Sequence, residues 1–223
     1  MSQTLNETRA VNGFEAPGLY ESVRRPEATT RVLIGGFDNA GKSTLACSLY
    51  RALNQAGIPT SLYELDRWSD THDIILGRKL PEQRQKTAEV SVEEFAAYAE
   101  GFREDPTKLV LGDLQGVYQV PHNLCLRQSA NFGVLVTRNP IDKDATARFP
   151  QTLEGWRDLF GDLEIPIALH LHSVQAGQTA PDKTIPIPAL ERGLVPNHPY
   201  VQKIAAKILQ LSGLSSPAWG MSW

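Results

Sequence analysis

A run of small residues that ends in Lys-Ser is the part of this sequence best suited to chemistry. Residues 36–43 read Gly-Phe-Asp-Asn-Ala-Gly-Lys-Ser and stand between an apolar run and an amphipathic one. Small residues let the backbone curl so that successive N–H groups point at one anion, and a helix that begins near Lys42 adds its positive end. In this spacing the Lys42 ammonium can reach the β- and γ-phosphates, and the Ser43 hydroxyl can bind Mg²⁺. The pattern therefore predicts a site for a nucleoside triphosphate with Mg²⁺.

A carboxylate at the end of another buried strand would complete a Mg²⁺ site beside this loop. Asp113 follows the apolar run of residues 109–112 and is the best candidate, holding the metal through water while Ser43 binds it directly. Asp113 and Gly116 also fit the pattern D-x-x-G, in which the glycine N–H senses the γ-phosphate and the loop switches with the nucleotide state. The structural alternative is a strand-end Asp that only caps a turn.

The predicted nucleotide-binding residues fall in the loop, at the switch glycine and after a later strand. They are Gly36, Asp38, Asn39, Ala40, Gly41, Lys42, Ser43, Thr44, Gly116 and Asn139. Asn139 follows the fourth predicted strand, where its amide could contact a base, and a turn before Pro140 is the alternative. On the fifth predicted strand His170 and His172 alternate, so both point to one face. Hydrogen-bonded histidines are favoured there over a metal site, because no third ligand is evident.

An acidic residue after the second predicted strand allows two different reactions. Asp66 follows residues 61–65 and can orient or deprotonate an acceptor hydroxyl, or lie near an attacking water. Arginines that would neutralise a transferred phosphoryl group are also present. They are Arg78, Arg84, Arg138 and Arg148. The residues leave open whether the phosphoryl group goes to a small-molecule acceptor or to water, and the charged tract 66–89 could instead be a switch that grips a protein partner.

Short apolar runs alternate with amphipathic runs along the chain. This predicts a three-layer α/β fold with a mostly parallel sheet and helices on both faces. The predicted strands are residues 31–34, 61–65, 109–113, 132–137 and 165–171, and the predicted helices are residues 42–56, 91–102, 152–160 and 199–211. The second of these helices opens with a capping box, Ser91 and Glu94. The predicted buried faces are Val92, Phe95, Ala96, Ala99 and Phe102 in the second helix and Val201, Ile204, Ala205, Ile208 and Leu211 in the last.

The domain organisation is predicted as one nucleotide-binding domain between two flanking segments. Residues 1–30 are polar and are interpreted as a leader. Residues 31–213 form the domain, with a helical insertion near residues 67–105. Residues 214–223 form a tail that carries Trp219 and Trp223, and the sequence does not decide whether this tail docks on the body or on a partner.

The composition of the 223 residues argues against several classes of protein. A net charge of −3 and a pI of about 6.0 give no basic excess, so no nucleic-acid partner is expected. The two cysteines, Cys47 and Cys125, form no metal-ligand spacing and fit a reducing compartment. No apolar run reaches the ~18 residues that a membrane span needs, and no apolar signal core is present. We therefore expect a cytoplasmic protein without a membrane partner.

With these motifs the chain resembles the P-loop NTPase superfamily. The segment from Gly36 to Thr44 is similar to the first motif of Arf-type small GTPases. The longer plan resembles the SIMIBI class of P-loop proteins, which includes MinD/ParA-type ATPases and metallochaperone GTPases. The resembling parts are the loop itself, Asp66 after the second strand, the Asp113-x-x-Gly116 pattern, the strand that ends at residues 137–139, and residues 185–188 before the closing helix.

The resemblance implies Mg²⁺-dependent binding and hydrolysis of ATP or GTP, coupled to a conformational switch, with catalytic roles for Lys42, Asp66 and Asp113. The alternative is a P-loop kinase that transfers the γ-phosphate of ATP to a small-molecule acceptor, since such kinases carry an acidic residue just after the second strand. Candidate partners are therefore that acceptor, a protein partner or a second copy of the chain.

Two departures from the resembling families limit what can be carried over. Phe37 stands where the MinD/ParA group carries a signature lysine, so a lysine acting on a partner's site is not implied. The Asn-Lys-x-Asp guanine motif is absent, since Asn139 begins no such sequence. A choice between ATP and GTP is therefore not implied either.

Overall fold

The computed structural model describes residues 28–66, 70–84, 90–139, 150–175, 177–188, 195–217 and 219. The strands in these residues are β1 (Thr30–Gly36), β2 (Thr60–Leu65), β3 (Leu109–Leu114), β4 (Phe132–Arg138), β5 (Ile167–Val174) and β6 (Ile185–Pro188). The helices are α1 (Lys42–Gln55), α2 (Thr71–Ile75), α3 (Val92–Glu104), α4 (Leu153–Asp162) and α5 (Pro199–Leu211), with short 3₁₀ helices at Pro81–Gln83 and Pro121–Leu126.

These six strands form one parallel sheet in the order β2-β3-β1-β4-β5-β6. The predicted α/β fold with a parallel sheet is thus confirmed. From β1 the chain passes to the edge strand β2, returns to β3 beside β1, and then crosses to β4, β5 and β6 on the other side of β1. In open α/β sheets a ligand binds beyond the carboxyl ends of the strands at such a switch point, and here that point is the end of β1.

Helices cover both faces of the sheet. On one face α1 packs against β1, β2 and β3 and against α5. On the other face the ring of Phe102 in α3 approaches Gly112 of β3, and the ring of Phe160 in α4 approaches Gly133 of β4. Because side chains alternate along a strand, Gly112 on the α3 face puts Asp113 on the α1 face.

Glycines in the sheet make room for the aromatic rings of α4. A Cβ atom at Gly35 would lie 2.9 Å from Cζ3 of Trp156, and a Cβ atom at Gly133 would lie 2.3 Å from Cε1 of Phe160. Both rings are almost completely buried, so neither can move aside at little cost. The sequence marks these glycines only as small residues within apolar strands.

We expect Gly133→Ala to destabilise the chain by about 1–3 kcal/mol, because the added methyl group overpacks a site that the Phe160 ring already fills. The matched control is Gly161→Ala in α4, where a Cβ atom would meet nothing within 4 Å and where Ala favours the helix by about 1 kcal/mol. Urea unfolding midpoints measure both changes. Equal stability of the two variants would contradict the packing described here.

The predicted buried faces of two helices extend too far. Val92 and Leu211 are each 42% exposed, and Ala96 is half-buried. In α5 the buried leucine is instead Leu209, which is fully covered. Val92 begins its helix and Leu211 ends its own, so the physical reason is position: periodicity identifies a face, but not the turn at which the helix extends beyond the core.

The fifth strand begins later than predicted. Ile165 belongs to the turn that closes α4, since its N–H donates to the carbonyl of Phe160 at 3.0 Å, and β5 starts at Ile167. The predicted capping box of α3 is confirmed. The Glu94 N–H donates to the Ser91 hydroxyl at 3.1 Å, and the Ser91 N–H donates to the Glu94 carboxylate at 2.9 Å.

The segments predicted to flank the domain are described in part. Of the leader, residues 1–27 lie outside the described residues, and Thr30 already belongs to β1. Of the tail, Trp219 packs partly buried against the core, whereas Trp223 lies outside the described residues. Helix α3 lies within the predicted insertion near residues 67–105. It follows β2 and precedes β3 in the chain, and its Phe102 packs on β3 at Gly112.

Candidate nucleotide-binding site

The loop after β1 is tied to β4 at its base. Gly36 has a φ of 139°, and a Cβ atom there would lie 1.9 Å from the carbonyl oxygen of Val136. The N–H of Phe37 donates to the same carbonyl oxygen at 2.9 Å. A side chain cannot be accommodated at Gly36, because both the backbone angle and the space exclude it. The first glycine of the pattern is therefore required for the chain to leave the sheet.

The loop enters α1 through left-handed backbone conformations. Asn39 has a φ of 56° and Gly41 a φ of 86°, and the Asp38 carboxylate accepts hydrogen bonds from the Asn39 N–H and side-chain amide at 2.9 and 3.0 Å. Among the described residues, no side chain caps α1, and its first turn carries no acidic residue. The N–H groups at the start of α1 and its dipole therefore favour an anion at this end.

Lys42 lies under this loop, in a cluster of carboxylates. Its side chain is almost buried, and its Nζ donates to the carbonyl oxygen of Phe37 at 3.0 Å. Burial lowers the pKa of Lys42, although the negative charges of nearby carboxylates oppose that shift. Those carboxylates belong to Asp38, Asp66 and Asp113. The structure thus brings together the three residues predicted to be catalytic.

Asp113 occupies the same level of the sheet as the end of β1. It pairs in register with Ile34 of β1 and with Glu64 of β2, and it is 1% exposed. Its Oδ2 lies 2.8 Å from Nε2 of His72. Its other oxygen, Oδ1, is buried and has no hydrogen-bond partner among the described residues.

Glu64 and His72 lie beside this cluster of carboxylates. Neither was among the predicted site residues. The His72 N–H donates to Oε1 of Glu64 at 3.2 Å. Burial raises the pKa of Glu64 to about 7, with Asp113 and Asp66 adding to the shift. Burial by itself lowers the pKa of His72, but the hydrogen bond and the charge of Asp113 outweigh it, so the net shift is upward.

A sequence signal exists for one of these two residues. Glu64 is a charged residue inside a mostly apolar run that leads to Asp66, and it stands on the edge strand β2 in register with Asp113. His72 gives no such signal, because it stands in a polar stretch and reaches Asp113 only through the fold.

Gly116, the predicted switch glycine, lies against the loop after β1. A Cβ atom on Gly116 would be 3.0 Å from both Cα and Cβ of Asp38. The segment that follows Asp113 reaches α4 through Tyr118, whose hydroxyl lies 3.3 Å from Oγ1 of Thr152 at the start of that helix. The segment after Asp113 thus contacts the phosphate loop on one side and α4 on the other.

The candidate arginines differ in their distance from the loop. Arg138, at the end of β4, donates from Nε to the carbonyl oxygen of Asp38 at 2.8 Å. The Arg78 side chain is largely exposed, and its Nη1 lies 3.6 Å from Oδ1 of Asp73. Arg84 is exposed, and Arg148 lies outside the described residues. Arg138 is therefore the arginine that the structure places on the phosphate loop.

Asn139 is joined to both strand-five histidines through Thr137. Oγ1 of Thr137 lies 2.9 Å from Nε2 of His170 and 2.9 Å from Nδ1 of His172, and Nε2 of His172 lies 3.2 Å from Oδ1 of Asn139. Both histidines thus share one face, as predicted. Burial lowers the pKa of each histidine, which favours the neutral rings.

In one proton arrangement His170 donates to the Thr137 hydroxyl, the hydroxyl donates to Nδ1 of His172, and Nε2–H of His172 donates to the Asn139 oxygen. The Thr137 hydroxyl also lies 3.3 Å from the carbonyl oxygen of Leu171, so in a second arrangement it donates there and accepts from both histidines. In the first arrangement the Asn139 side chain keeps its NH₂ group for another acceptor. We call Thr137, Asn139, His170 and His172 the Asn139 relay.

The remaining predicted loop residues lie at the start of α1 or just before it. Ser43 is half-buried, and Thr44 and Ala40 are buried. Magnesium prefers oxygen ligands, and the unpartnered Oδ1 of Asp113 with the Ser43 hydroxyl supplies such a pair. In the part of the chain that the structure describes, no group of three His, Cys, Asp or Glu residues suits a metal ion.

The upward pKa shifts predict how stability depends on pH. Glu64 binds its proton more tightly in the folded than in the unfolded chain, and so does His72. Stability from Glu64 is therefore lost as pH rises from its unfolded pKa of 4.5 to its folded pKa of about 7, and stability from His72 is lost as pH rises above 6.5. Urea unfolding in EDTA at pH 5, 6, 7 and 8 should show stability falling across this range.

Glu64→Gln should flatten that fall, because a neutral amide does not titrate. The matched control is Glu93→Gln at an exposed position of α3, which should leave the pH profile unchanged. An identical profile in parent and Glu64→Gln chains would show that Glu64 titrates alike in both states.

Among the residues described, no helix is both long enough and apolar enough to span a bilayer. No protein-family model matches the sequence, and no curated protein matches it significantly.

Solved structures do resemble the chain. The MinD cell division protein of Aquifex aeolicus is 16% identical over 85% of this chain and 99% of that one, with a TM-score of 0.52. The septum site-determining protein MinD of Pyrococcus horikoshii OT3, complexed with Mg-ADP, is 13% identical over 81% of this chain and 77% of that one, with a TM-score of 0.49. At such low identity the likeness to the Aquifex protein shows a shared α/β fold.

Proposed function

We propose that this P-loop fold binds a nucleoside triphosphate with Mg²⁺ and hydrolyses it, and that the loop after Asp113 reports the nucleotide state. One observation carries the proposal: Lys42 and Asp113, both buried, converge below a glycine-lined loop whose helix start has no side-chain cap among the described residues. A buried lysine with a lowered pKa contributes little to the stability of the fold, and a bound phosphate would pair with its positive charge.

The chain's own groups divide the work of binding. The backbone N–H groups of Gly41, Lys42 and Ser43 and the Lys42 ammonium would bind the phosphates, while Ser43 and Asp113 would hold Mg²⁺. When bound, Mg²⁺ supplies positive charge that offsets the charge of the phosphate oxygens. Arg138, already bonded to the carbonyl of Asp38, is placed to stabilise charge that develops during phosphoryl transfer.

The proposed switch rests on the contact between Gly116 and Asp38. The Gly116 N–H would lie near a γ-phosphate bound to the loop. A movement of Gly116 would also move Tyr118, two residues further along the chain. Tyr118 contacts Thr152 at the start of α4, so this helix is the element through which the nucleotide state is passed on.

The Asn139 relay would orient one amide toward the base. In the arrangement in which His172 donates to its oxygen, its NH₂ group is left to donate, and both adenine and guanine offer acceptors to it. Phe37 stands in the position of the MinD/ParA signature lysine and packs in the core. The proposal therefore assigns the phosphate contact to Lys42 of the same chain.

Transfer to a small-molecule acceptor is the second candidate, and a cleft beside β2 favours it. The cleft has a volume of about 310 Å³, and its lining includes Tyr50, Tyr63, His72 and Arg78. Its polar lining suits a small polar molecule. Glu64, with a pKa of about 7, lies next to this region and would suit proton transfer near neutral pH.

Turnover of ATP and of GTP, with and without Mg²⁺ and with a panel of small-molecule acceptors, tests both candidates. Phosphate released to water at a rate independent of acceptors supports hydrolysis. Diphosphate release that an acceptor stimulates, with the phosphoryl group found on the acceptor, supports a kinase. Absence of nucleotide binding by calorimetry would refute both.

Asp66→Asn separates the two reactions further. If the chain is a kinase, transfer should fall by ~10²–10⁴-fold, because a positioned base contributes that much, while triphosphate affinity hardly changes. If the chain is a hydrolase, basal hydrolysis should slow and the triphosphate complex should live longer. Asp162→Asn, at an exposed position of α4, is the control. Parent-like hydrolysis, transfer and affinity would remove Asp66 from both mechanisms.

A further inference from the structure

His72 contacts Asp113, the carboxylate proposed to hold Mg²⁺, so a role for His72 there rests on the proposed function. In the structure, His72 and Asp113 form a buried pair, 5% and 1% exposed, with Nε2 and Oδ2 2.8 Å apart. A buried carboxylate next to two other acidic side chains is costly unless a cation or donors offset its charge. Lys42 contributes positive charge nearby, and His72 supplies a hydrogen bond to one oxygen only.

The second oxygen is the informative one. Oδ1 of Asp113 is buried, and no hydrogen-bond partner reaches it among the described residues. Buried polar atoms are nearly always bonded, and an exception calls for a missing ligand or water. Asp113 is thus divided into an oxygen that is held and an oxygen that is available.

His72 is itself fixed to the sheet from another direction. Its backbone N–H donates to Oε1 of Glu64, the in-register neighbour of Asp113 on β2. The start of α2 is further held by Lys79, whose Nζ lies 3.3 Å from Oδ2 of Asp70. The backbone that carries the imidazole is therefore linked to β2 through Glu64.

We propose that His72 is a positioning residue for the metal site: it holds Oδ2 of Asp113 so that Oδ1 is oriented toward the Mg²⁺ ion and its water. Carboxylates that ligate metals are commonly hydrogen-bonded on their far side, and loss of such a partner weakens metal binding or activity by about 10–100-fold. The competing arrangement is that the His72 side chain takes the place of the metal and is displaced when Mg²⁺ arrives. The two arrangements predict opposite effects when His72 is removed.

Mn²⁺ affinity in the presence of ADP or GDP, whichever the parent chain binds, distinguishes them without recourse to turnover. We expect His72→Phe to weaken Mn²⁺ binding by about 10–100-fold, measured by electron paramagnetic resonance of free Mn²⁺. His72→Gln keeps a donor of similar reach and should retain most of the parent affinity. His122→Gln, a change away from the site, should have no effect. Diphosphate affinity in EDTA should be the same in all variants, because the phosphate loop is untouched.

Each outcome decides the matter. Unchanged Mn²⁺ binding by His72→Phe would overturn the proposal, and tighter binding would overturn it and show that the His72 side chain is displaced by the metal. If the Phe variant no longer binds diphosphate in EDTA, its fold is damaged, and His72→Asn replaces it: Asn is polar but shorter, so it should lose Mn²⁺ affinity where Gln keeps it, and equal affinities overturn the proposal. A parent chain that binds diphosphate with no effect of Mn²⁺ refutes the metal role of Asp113 and this inference together, whereas a parent chain that binds no nucleotide refutes the proposed function itself.

Discussion

Lys42→Ala is expected to abolish triphosphate turnover, lowering it by at least ~10²–10³-fold, the usual loss when one preorganised group that stabilises transition-state charge is removed. The side chain is almost buried and lies under the phosphate loop, so no solvent-exposed lysine can take its place. Triphosphate affinity should fall as well, because the ammonium contacts the phosphates in the ground state.

The same substitution should leave the chain folded. Burial lowers the pKa of Lys42, which means that the folded state bears a cost for its charge, and removal of that charge relieves the cost. Nucleotide affinity by calorimetry, turnover and urea unfolding should be measured beside Lys203→Ala, at an exposed position of α5. Affinity and turnover equal to those of the parent chain would refute the assignment of the phosphate loop.

Asp113→Asn is expected to reduce Mg²⁺-dependent turnover by about 10²–10³-fold, with little change in diphosphate binding in EDTA. The substitution preserves shape but removes the negative charge beside the metal and presents an amide to the available position. His72 then faces a neutral partner, so the upward pKa shift of His72, for which Asp113 is the main cause, should largely disappear.

Titrations of turnover with Mg²⁺ at fixed nucleotide concentration measure this change. Asp158→Asn, exposed on α4, serves as the control for loss of one carboxylate. If the variant requires no more Mg²⁺ than the parent, Asp113 is a structural strand-end residue, and Glu64 or Asp66 becomes the candidate for the metal carboxylate.

The sequence was sufficient for the parts of the fold that obey a local rule. The phosphate loop has a fixed spacing, and its geometry follows from backbone angles that glycine permits at Gly36 and Gly41. Strands and helices follow from the period of their apolar residues, and Asp113 follows from its place at a strand end. The roles of these site residues stay predictions.

The rest depends on distances that no local pattern encodes. His72 meets Asp113 only because α2 packs on α1 beside β2, and nothing within the polar stretch around His72 distinguishes it. The pairing of Gly133 with Phe160 requires the register of α4 over β4. Thr137 joins His170 to His172 because β4 and β5 are neighbours, a relation that apolar periodicity does not specify.

The strand order also determines when during synthesis the site can exist. Neighbours in this sheet are distant in sequence; Arg31 and Asn131, joined by a hydrogen bond beside β1, are 100 residues apart. Such pairings close late because long loops must first be ordered. At ~5–20 residues per second of translation, β1 leaves the ribosome roughly 5–20 s before β4 is complete. For nearly all of that interval Val136, whose carbonyl oxygen accepts from the Phe37 N–H, has not been made, so the base of the loop, and with it the nucleotide site, cannot form until β4 has been synthesised.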